Sequence, residues 1–147
     1  MFIFISPPFG NYLNLNNTYS IRGSFTLEPR DGLLSQIWKT LHYSKEHKGW
    51  INKIGLRNKG IDYALKKYRK DCTNSNNILS IAILQQNDLY RFLNKIPKDV
   101  NLEINVSCPN AEKSMIDEDI HRFINSKRKW CVIKVSPLIS SEKLDSY

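Results

Sequence analysis

Two kinds of apolar pattern alternate along this chain, and their alternation limits the fold more than any other feature of the sequence. Four segments space their apolar residues so that they share one face of a helix. Between them lie short runs rich in β-branched residues and flanked by Asn, Asp or Pro, which are typical of buried strands. The helical segments are Leu34/Ile37/Trp38/Leu41, Ile61/Ala64/Leu65/Tyr68, Leu89/Phe92/Leu93/Ile96 and Ile116/Ile120/Phe123/Ile124, and the apolar runs are 78–84, 102–106 and 131–135.

The order strand, helix, strand, helix, strand predicts an α/β fold with parallel strands joined by right-handed crossovers. Such repeats build either an open doubly wound sheet or a (βα)8 barrel. The amino-terminal part is less regular, with candidate strands at 2–5 and 19–26, a turn at 7–10 and a final helix start at 140–144. A complete TIM-type barrel takes about 250 residues, so we expect residues 1–147 to form one incomplete domain, about the first half of a (βα)8 barrel.

The charge of the chain leaves two explanations open. The net charge is +8, from 22 Lys and Arg against 14 Asp and Glu. The main basic clusters, 66–70 and 127–129, follow predicted helices, where cations complement the helix dipole on a solvated face. An RNA-binding patch is the alternative, but aromatic residues do not alternate with these cations as base stacking requires. We therefore expect no nucleic-acid partner.

Composition also argues against membrane, disulfide and metal classes. No apolar run approaches the roughly 20 residues that cross a bilayer, and no cation precedes the apolar start as in a signal peptide. The three cysteines, Cys72, Cys108 and Cys131, are odd in number and lack CxxC spacing, so they indicate neither a disulfide framework nor a metal site. We expect a cytoplasmic protein with reduced thiols and no membrane partner.

Two polar residues interrupt the predicted buried strands. Lys134 lies within the run 131–135 and Asn105 within 102–106, and an unpaired polar group on a central strand is costly. In a barrel, residues near the carboxyl ends of strands face the mouth where substrates bind. Both side chains could therefore face a ligand, although Lys134 could instead extend outward from an edge strand.

Cys108 directly follows a predicted strand and precedes Pro109, which holds a loop extended. A single cysteine is most often a small buried apolar residue. Beyond a strand end, however, a thiol is accessible, and its reference pKa near 8.5 lets it accept a proton where the surroundings favour the thiolate. Both interpretations follow from the residue alone.

Four strings in family order add a resemblance to this interpretation. Residues 105–110 (NVSCPN) are similar to the signature loop of dihydroorotate dehydrogenases, and 52–60 (NKIGLRNKG) resemble the second substrate segment of that family. Residues 23–30 (GSFTLEPR) resemble its flavin-side strand and loop, and 132–137 (VIKVSP) the strand whose lysine lies against the flavin. The resemblance covers residues 20–138 and favours the soluble branch, which has cysteine in the loop where the membrane-associated branch has serine.

The resemblance implies a flavoenzyme that oxidises dihydroorotate to orotate with FMN in pyrimidine (UMP) biosynthesis. It implies that Cys108 is the general base, because a base must face the substrate side opposite the hydride acceptor. It also implies that Lys134 holds its ammonium where negative charge develops on the flavin. The implied substrate-binding residues are Asn52, Gly55, Leu56, Asn58, Asn105 and Asn110, and the implied cofactor-binding residues are Ser24, Thr26, Asn105 and Lys134.

The chain also departs from the family pattern. The interval 10–22 is too short for the usual helix between the first two strands, and 31–34 replace an Asn-Pro-rich turn. The phosphate-binding strands of such barrels come later in the chain, so we expect activity only with a continuing or complementing chain, or in a homo-oligomer. Fumarate, or NAD through an iron–sulfur partner subunit, remain alternative electron acceptors. An inactive remnant or a basic module with RNA affinity is the alternative function.

Overall fold

A parallel sheet of five strands organises the computed structural model, which describes residues 1–73, 75–106, 119–136 and 139–145. The described strands are β1 (Phe4–Ile5), β2 (Tyr19–Phe25), β3 (His42–Ser44), β4 (Gly49–Ile51), β5 (Asn77–Ala82), β6 (Leu102–Asn105) and β7 (Cys131–Lys134). The strand order across the sheet is β1-β2-β5-β6-β7, and every adjacent pair is parallel. A separate antiparallel hairpin contains β3 and β4.

Helices follow β2, β5 and β7 along the chain, as the alternating pattern predicts. They are α1 (Leu33–Thr40), α2 (Gly60–Tyr68), α3 (Gln86–Lys95) and α4 (Ser141–Asp145). Only a short 3₁₀ turn, Phe9–Asn11, lies between β1 and β2, because that interval is too short for a packed helix. The predicted fold class is confirmed: parallel βα units form part of a TIM-type barrel.

The core lies between one face of the sheet and the helices α2 and α3. Because strand side chains alternate between faces, every second residue of β5 and β6 points toward these helices. The buried members on that face are Leu79, Ile81, Leu102 and Ile104, packed against Ile61, Ala64, Leu89 and Phe92. The helical spacings of α2 and α3 were therefore correct predictions of core residues.

The first helix differs from its predicted packing. Its spacing predicts a buried face, yet α1 has no buried residue, and Trp38 keeps 91% of its surface exposed. The hairpin that follows was not predicted, because three-residue strands are too short to show a clear period of two. Tyr43 and Trp50 pair across it with ring centroids 5.8 Å apart, and both are exposed.

The fourth helical pattern was only partly correct. The structure has a 3₁₀ turn at Ile120–Phe123, in which Ile120 and Phe123 are buried as predicted, whereas Ile116 lies outside the described residues. The basic cluster at 127–129 is not a solvated helix end. Arg128 lies partly buried in a turn and donates to the carbonyl oxygens of Val100, Phe123 and Pro97. Its burial lowers the pKa of this guanidinium.

Four aromatic rings join the two edges of the sheet at its amino-terminal end. In a flat sheet, β1 and β7 would lie about 19 Å apart, four strand spacings of about 4.8 Å. Instead, the ring of Trp130, which precedes β7, lies 5.3 Å from that of Phe2 and 5.9 Å from that of Phe4. Tyr19 completes the cluster, 4.9 Å from Trp130. The sheet is therefore strongly curved, as a barrel wall is.

Within the described part of the chain, none of the helices has the length and apolar character needed to cross a membrane.

Candidate active site

Polar side chains occupy the inner, concave face of the sheet near the carboxyl ends of its strands. The residues that alternate with the core positions are Ser80 on β5 and Glu103 and Asn105 on β6. Register places Ser80 beside Glu103, and Asn105 beside Lys134 of β7. Paired residues of parallel strands project to the same side. Serine, carboxylate, amide and ammonium groups therefore share one face.

A chain of hydrogen bonds crosses three strands on this face. Asn105 Nδ2 donates to Ser24 Oγ at 3.0 Å, the Ser24 and Ser80 hydroxyls lie 2.6 Å apart, and Ser80 Oγ donates to Glu103 Oε1 at 2.7 Å. Ser80 and Glu103 are buried. The structure thus brings together Ser24, Asn105 and, in register beside them, Lys134, three residues predicted from the sequence.

Thr26 and Asn58, which were predicted to bind cofactor and substrate, bond to each other. Asn58 Nδ2 donates to Thr26 Oγ1 at 3.0 Å and to the Leu56 carbonyl at 2.8 Å. Its Oδ1 accepts from the backbone N–H of Thr26 and of Gly60. Thr26 is buried and donates its own hydroxyl to the Glu28 carbonyl. In this geometry the pair joins the end of β2 to the segment before α2.

The other predicted substrate residues of this segment lie in a loop after β4. Asn52 is exposed, and its Oδ1 accepts from the Ile54 N–H at 3.3 Å. Gly55 has φ +69°, and no atom lies within 4 Å of the place that a side-chain carbon would take there, while Leu56 is half-buried. The bonds of Asn52 and of the Leu56 carbonyl are made within residues 52–58.

Cys108 and Asn110 lie outside the described residues, so their predicted roles stay predictions. The described residues on either side of this segment, Val106 and Asp119, are held by hydrogen bonds. Val106 N–H donates to the Lys134 carbonyl at 3.0 Å. Asp119 accepts from Tyr90 Oη at 2.5 Å and from Gln86 Nε2 at 3.3 Å. The hydrogen bond from Tyr90 lowers the pKa of the Asp119 carboxyl.

Sequence reasoning missed Ser80 and Glu103. Both are polar residues inside apolar runs, the same signal that singled out Asn105 and Lys134. Applied to every strand, that signal would have found them, because each buried polar group requires a partner. That signal does not identify hydrogen-bond partners, because bonded residues such as Ser24 and Asn105 belong to strands that are separated by β5.

Comparisons with known proteins agree with the resemblance of the four strings. The family model described as "Dihydroorotate dehydrogenase" matches residues 9–143. A dihydroorotate dehydrogenase B (NAD(+)) catalytic subunit of Desulforamulus reducens is 35% identical over 109 residues, which cover 69% of this chain and 34% of the relative. A protein of the same description from Carboxydothermus hydrogenoformans is 31% identical over 106 residues, 63% of this chain and 34% of the relative.

A putative dihydroorotate dehydrogenase A (fumarate) of Streptococcus agalactiae serotype Ia is also similar. It is 33% identical over 92 residues, covering 58% of this chain and 28% of that protein. No solved structure gives a significant match. The match spans about a third of the length of these curated relatives.

Proposed function

Because the chain belongs to the dihydroorotate dehydrogenase family, a family of oxidoreductases, we propose that it forms the amino-terminal part of an FMN-dependent site that oxidises dihydroorotate to orotate. The observation that carries the proposal is the shared inner face of Ser24, Asn105 and Lys134 at the carboxyl ends of three parallel strands. This is the end of a βα barrel where active sites form.

The donor set on this face fits the ring system of a flavin. A flavin edge alternates carbonyl and N–H groups, and a hydroxyl, an amide and an ammonium together offer both donors and acceptors to it. We assign Ser24, Asn105 and Lys134 to the ring system, and Thr26 to the loop beside it. When bound, FMN supplies the hydride acceptor of the reaction.

Each of the two predicted catalytic residues has one task. Lys134 stands beside Asn105 in the register of β6 and β7, where its ammonium would hold the flavin and stabilise negative charge on it. Cys108, three residues after Asn105 at the end of β6, takes the proton that leaves the substrate carbon on the face opposite the hydride acceptor.

The substrate contacts of the proposal come from two segments. Asn105 and Asn110 flank the cysteine, and Asn52 and Asn58 flank the loop of Gly55 and Leu56. Amide side chains match the alternating carbonyl and N–H groups of orotate, and backbone N–H groups at Gly55 and Leu56 receive its carboxylate. The amide of Asn58 bonds to Thr26 and Leu56 in this structure, so it reaches orotate only by exchanging those bonds.

The cellular context follows from the same proposal. Orotate formation is a step of UMP synthesis, and we place the protein in the cytoplasm. Its relatives bear names that specify NAD(+) or fumarate, and both acceptors stay compatible with the site. A further chain segment, a complementing chain or a second copy supplies the rest of the barrel, including the groups that hold the FMN phosphate.

The test is a fluorescence titration of FMN into the 147-residue chain, with and without orotate. We expect saturable quenching that orotate strengthens. Lys134→Ala should weaken FMN binding by about tenfold, the loss of one charge-assisted contact, whereas Lys129→Ala, which removes an exposed lysine just before β7, should leave it unchanged.

Two results would contradict the proposal. Equal effects of the two lysine variants would remove Lys134 from the site. A folded chain that takes up no FMN but binds RNA with a strong salt dependence would replace the enzyme site with the basic binding module.

A further inference from the structure

The inner face of the sheet contains a carboxylate that the proposed reaction does not use. Glu103 is 4% exposed on a central strand, a position where a charged group is costly unless it is hydrogen-bonded. Among the residues that the structure describes, Glu103 forms no ion pair. Its hydrogen-bond donor is the hydroxyl of Ser80. A buried carboxylate held by a serine therefore needs an explanation beyond local charge pairing.

The chemistry of the groups fixes the direction of every bond in this chain. A carboxylate only accepts hydrogen bonds, and a hydroxyl has a single hydrogen to donate. Ser80 gives its hydrogen to Glu103, so its oxygen can only accept from Ser24, 2.6 Å away. Ser24 then has no hydrogen left for Asn105 and must accept from its Nδ2, at 3.0 Å.

We propose that Glu103 is a positioning residue that fixes the orientation of the Asn105 side-chain amide through Ser80 and Ser24. The oxygen and nitrogen of an amide have nearly the same shape, so hydrogen bonds rather than packing select between its two orientations. The series of hydrogen bonds that begins at Glu103 directs the Nδ2 of Asn105 toward Ser24. The Oδ1 of Asn105 then points the other way. Resting on the proposed function, this makes Asn105 an acceptor for an N–H group of the bound ring system.

Small residues on β5 make the connection possible. Ser24 on β2 and Asn105 on β6 are separated by β5, and Ala82 is the register partner of Asn105. An alanine leaves the amide room to extend across the middle strand. Ser80, two residues earlier on the same face, provides the hydroxyl that links both neighbours.

The test measures the Asn105 amide directly in the chain without ligand. The side-chain N–H pair of Asn105 is identified in a ¹⁵N-labelled sample by its loss in Asn105→Asp, and its hydrogen exchange is followed by NMR. Glu103→Gln keeps the shape of the side chain but can donate as well as accept a hydrogen bond. The direction of the hydrogen bonds through Ser80 and Ser24 is then no longer fixed. We expect exchange of the Asn105 pair to accelerate about tenfold, the equivalent of one hydrogen bond.

Two further variants separate orientation from general loosening. Ser80→Ala interrupts the chain without touching Asn105 and should accelerate its exchange equally, while the double variant should add nothing more. Asn101→Ala removes another buried amide, which bonds to the Asn77 carbonyl and the Trp130 N–H. It should destabilise the protein and leave the exchange of Asn105 unchanged.

Unchanged exchange of the Asn105 pair in both Glu103→Gln and Ser80→Ala would overturn the inference. Equal acceleration in Asn101→Ala would also overturn it, because the effect would then be general loosening. Since no ligand is present, these outcomes are independent of FMN binding. If the proposed function also holds, a following orotate titration should show about tenfold weaker binding to Glu103→Gln. In the molecules whose Asn105 amide has turned over, its N–H group would face an N–H group of the bound ring instead of accepting from it.

Discussion

Two regions with similar apolar patterns pack in opposite ways. In the sheet region, α3 presents Leu89 and Phe92 fully buried against β5 and β6. In the arm formed by residues 33–51, α1 has the same helical spacing but no buried residue, and Trp38 and Trp50 are largely exposed. An amphipathic period therefore shows which face of a helix is apolar, while burial also requires a surface opposite that face.

The division has a functional meaning. The groups proposed to hold the flavin lie on strands of the packed sheet, where rigid elements keep geometry. The proposed substrate loop with Asn52 and Gly55 follows directly after the exposed arm. It rejoins the sheet region at Asn58 and Gly60, which contact the segment after β2. The proposed cofactor face is thus part of the packed sheet, whereas the proposed substrate segment follows an exposed arm.

The largest test of this comparison is a pair of aromatic truncations. Phe92→Ala should lower the free energy of unfolding by about 3–5 kcal/mol, because it creates a cavity in the core. Trp38→Ala removes a larger side chain but should change it by less than about 0.5 kcal/mol, as expected at an exposed position. Urea unfolding followed by circular dichroism measures both.

A loss above about 2 kcal/mol in Trp38→Ala would mean that α1 is packed in solution, and the contrast between the regions would disappear. A negligible loss in Phe92→Ala would locate the core elsewhere.

A smaller effect is expected where the arm rejoins the sheet region. Gly60 has φ +76°, and a side-chain carbon there would lie 2.9 Å from the Pro29 nitrogen. Gly55 has a similar φ of +69° but open space around it. Gly60→Ala should therefore cost about 1–3 kcal/mol more than Gly55→Ala, since both share the backbone strain and only the first adds a clash.

Thermal unfolding of the two glycine variants gives the comparison directly. Equal melting temperatures would show that the backbone near Pro29 yields, and that the junction is as loosely held as the arm itself.

The last effect concerns pH and is small for any single step of pH. Burial raises the pKa of the Cys72 thiol to about 12 from its ordinary value of 9.0. The folded state therefore keeps a proton that the unfolded state loses, and this stability is complete below pH 9 and is lost as the pH rises toward 12. The slope approaches about 1.4 kcal/mol per pH unit.

Urea unfolding at several alkaline pH values measures that slope in wild type and in Cys72→Ala. The variant should be less stable than wild type below pH 9, and above that pH it should lose stability less steeply by the contribution of this one thiol. Cys131, whose pKa burial also raises, retains part of the dependence. An identical slope in the two proteins would mean that the Cys72 thiol reaches water in the folded state.

Local sequence predicted the packed region well and the arm poorly. Ile61, Ala64 and Tyr68 are buried as their spacing on α2 predicts, because each helix of this region faces a sheet. The β3–β4 hairpin was missed, since its strands are three residues long. Sheet order was also beyond local patterns, because the neighbours β2 and β5 are more than 50 residues apart in the chain.

The candidate site shows the same limit at the level of single residues. A polar residue within an apolar run correctly singled out Asn105, which lies on the inner face beside Lys134. The bond between Asn105 and Ser24 spans 81 positions of sequence, and no spacing rule gives it. Asn58 was chosen for its place in a motif, and its bonds to Thr26 and Leu56 depend on where β2 ends.

The ring contact between the two sheet edges has a consequence for assembly. Phe2 and Phe4 on one side and Trp130 on the other already meet at the amino-terminal end, where the remaining wall of a full barrel would have to enter. Any strands that complete the barrel must first separate these rings. Completion of the barrel therefore requires incoming strands to replace the contacts of Trp130 with Phe2 and Phe4. Removing the Phe2 ring would weaken these contacts and favour the assembled form.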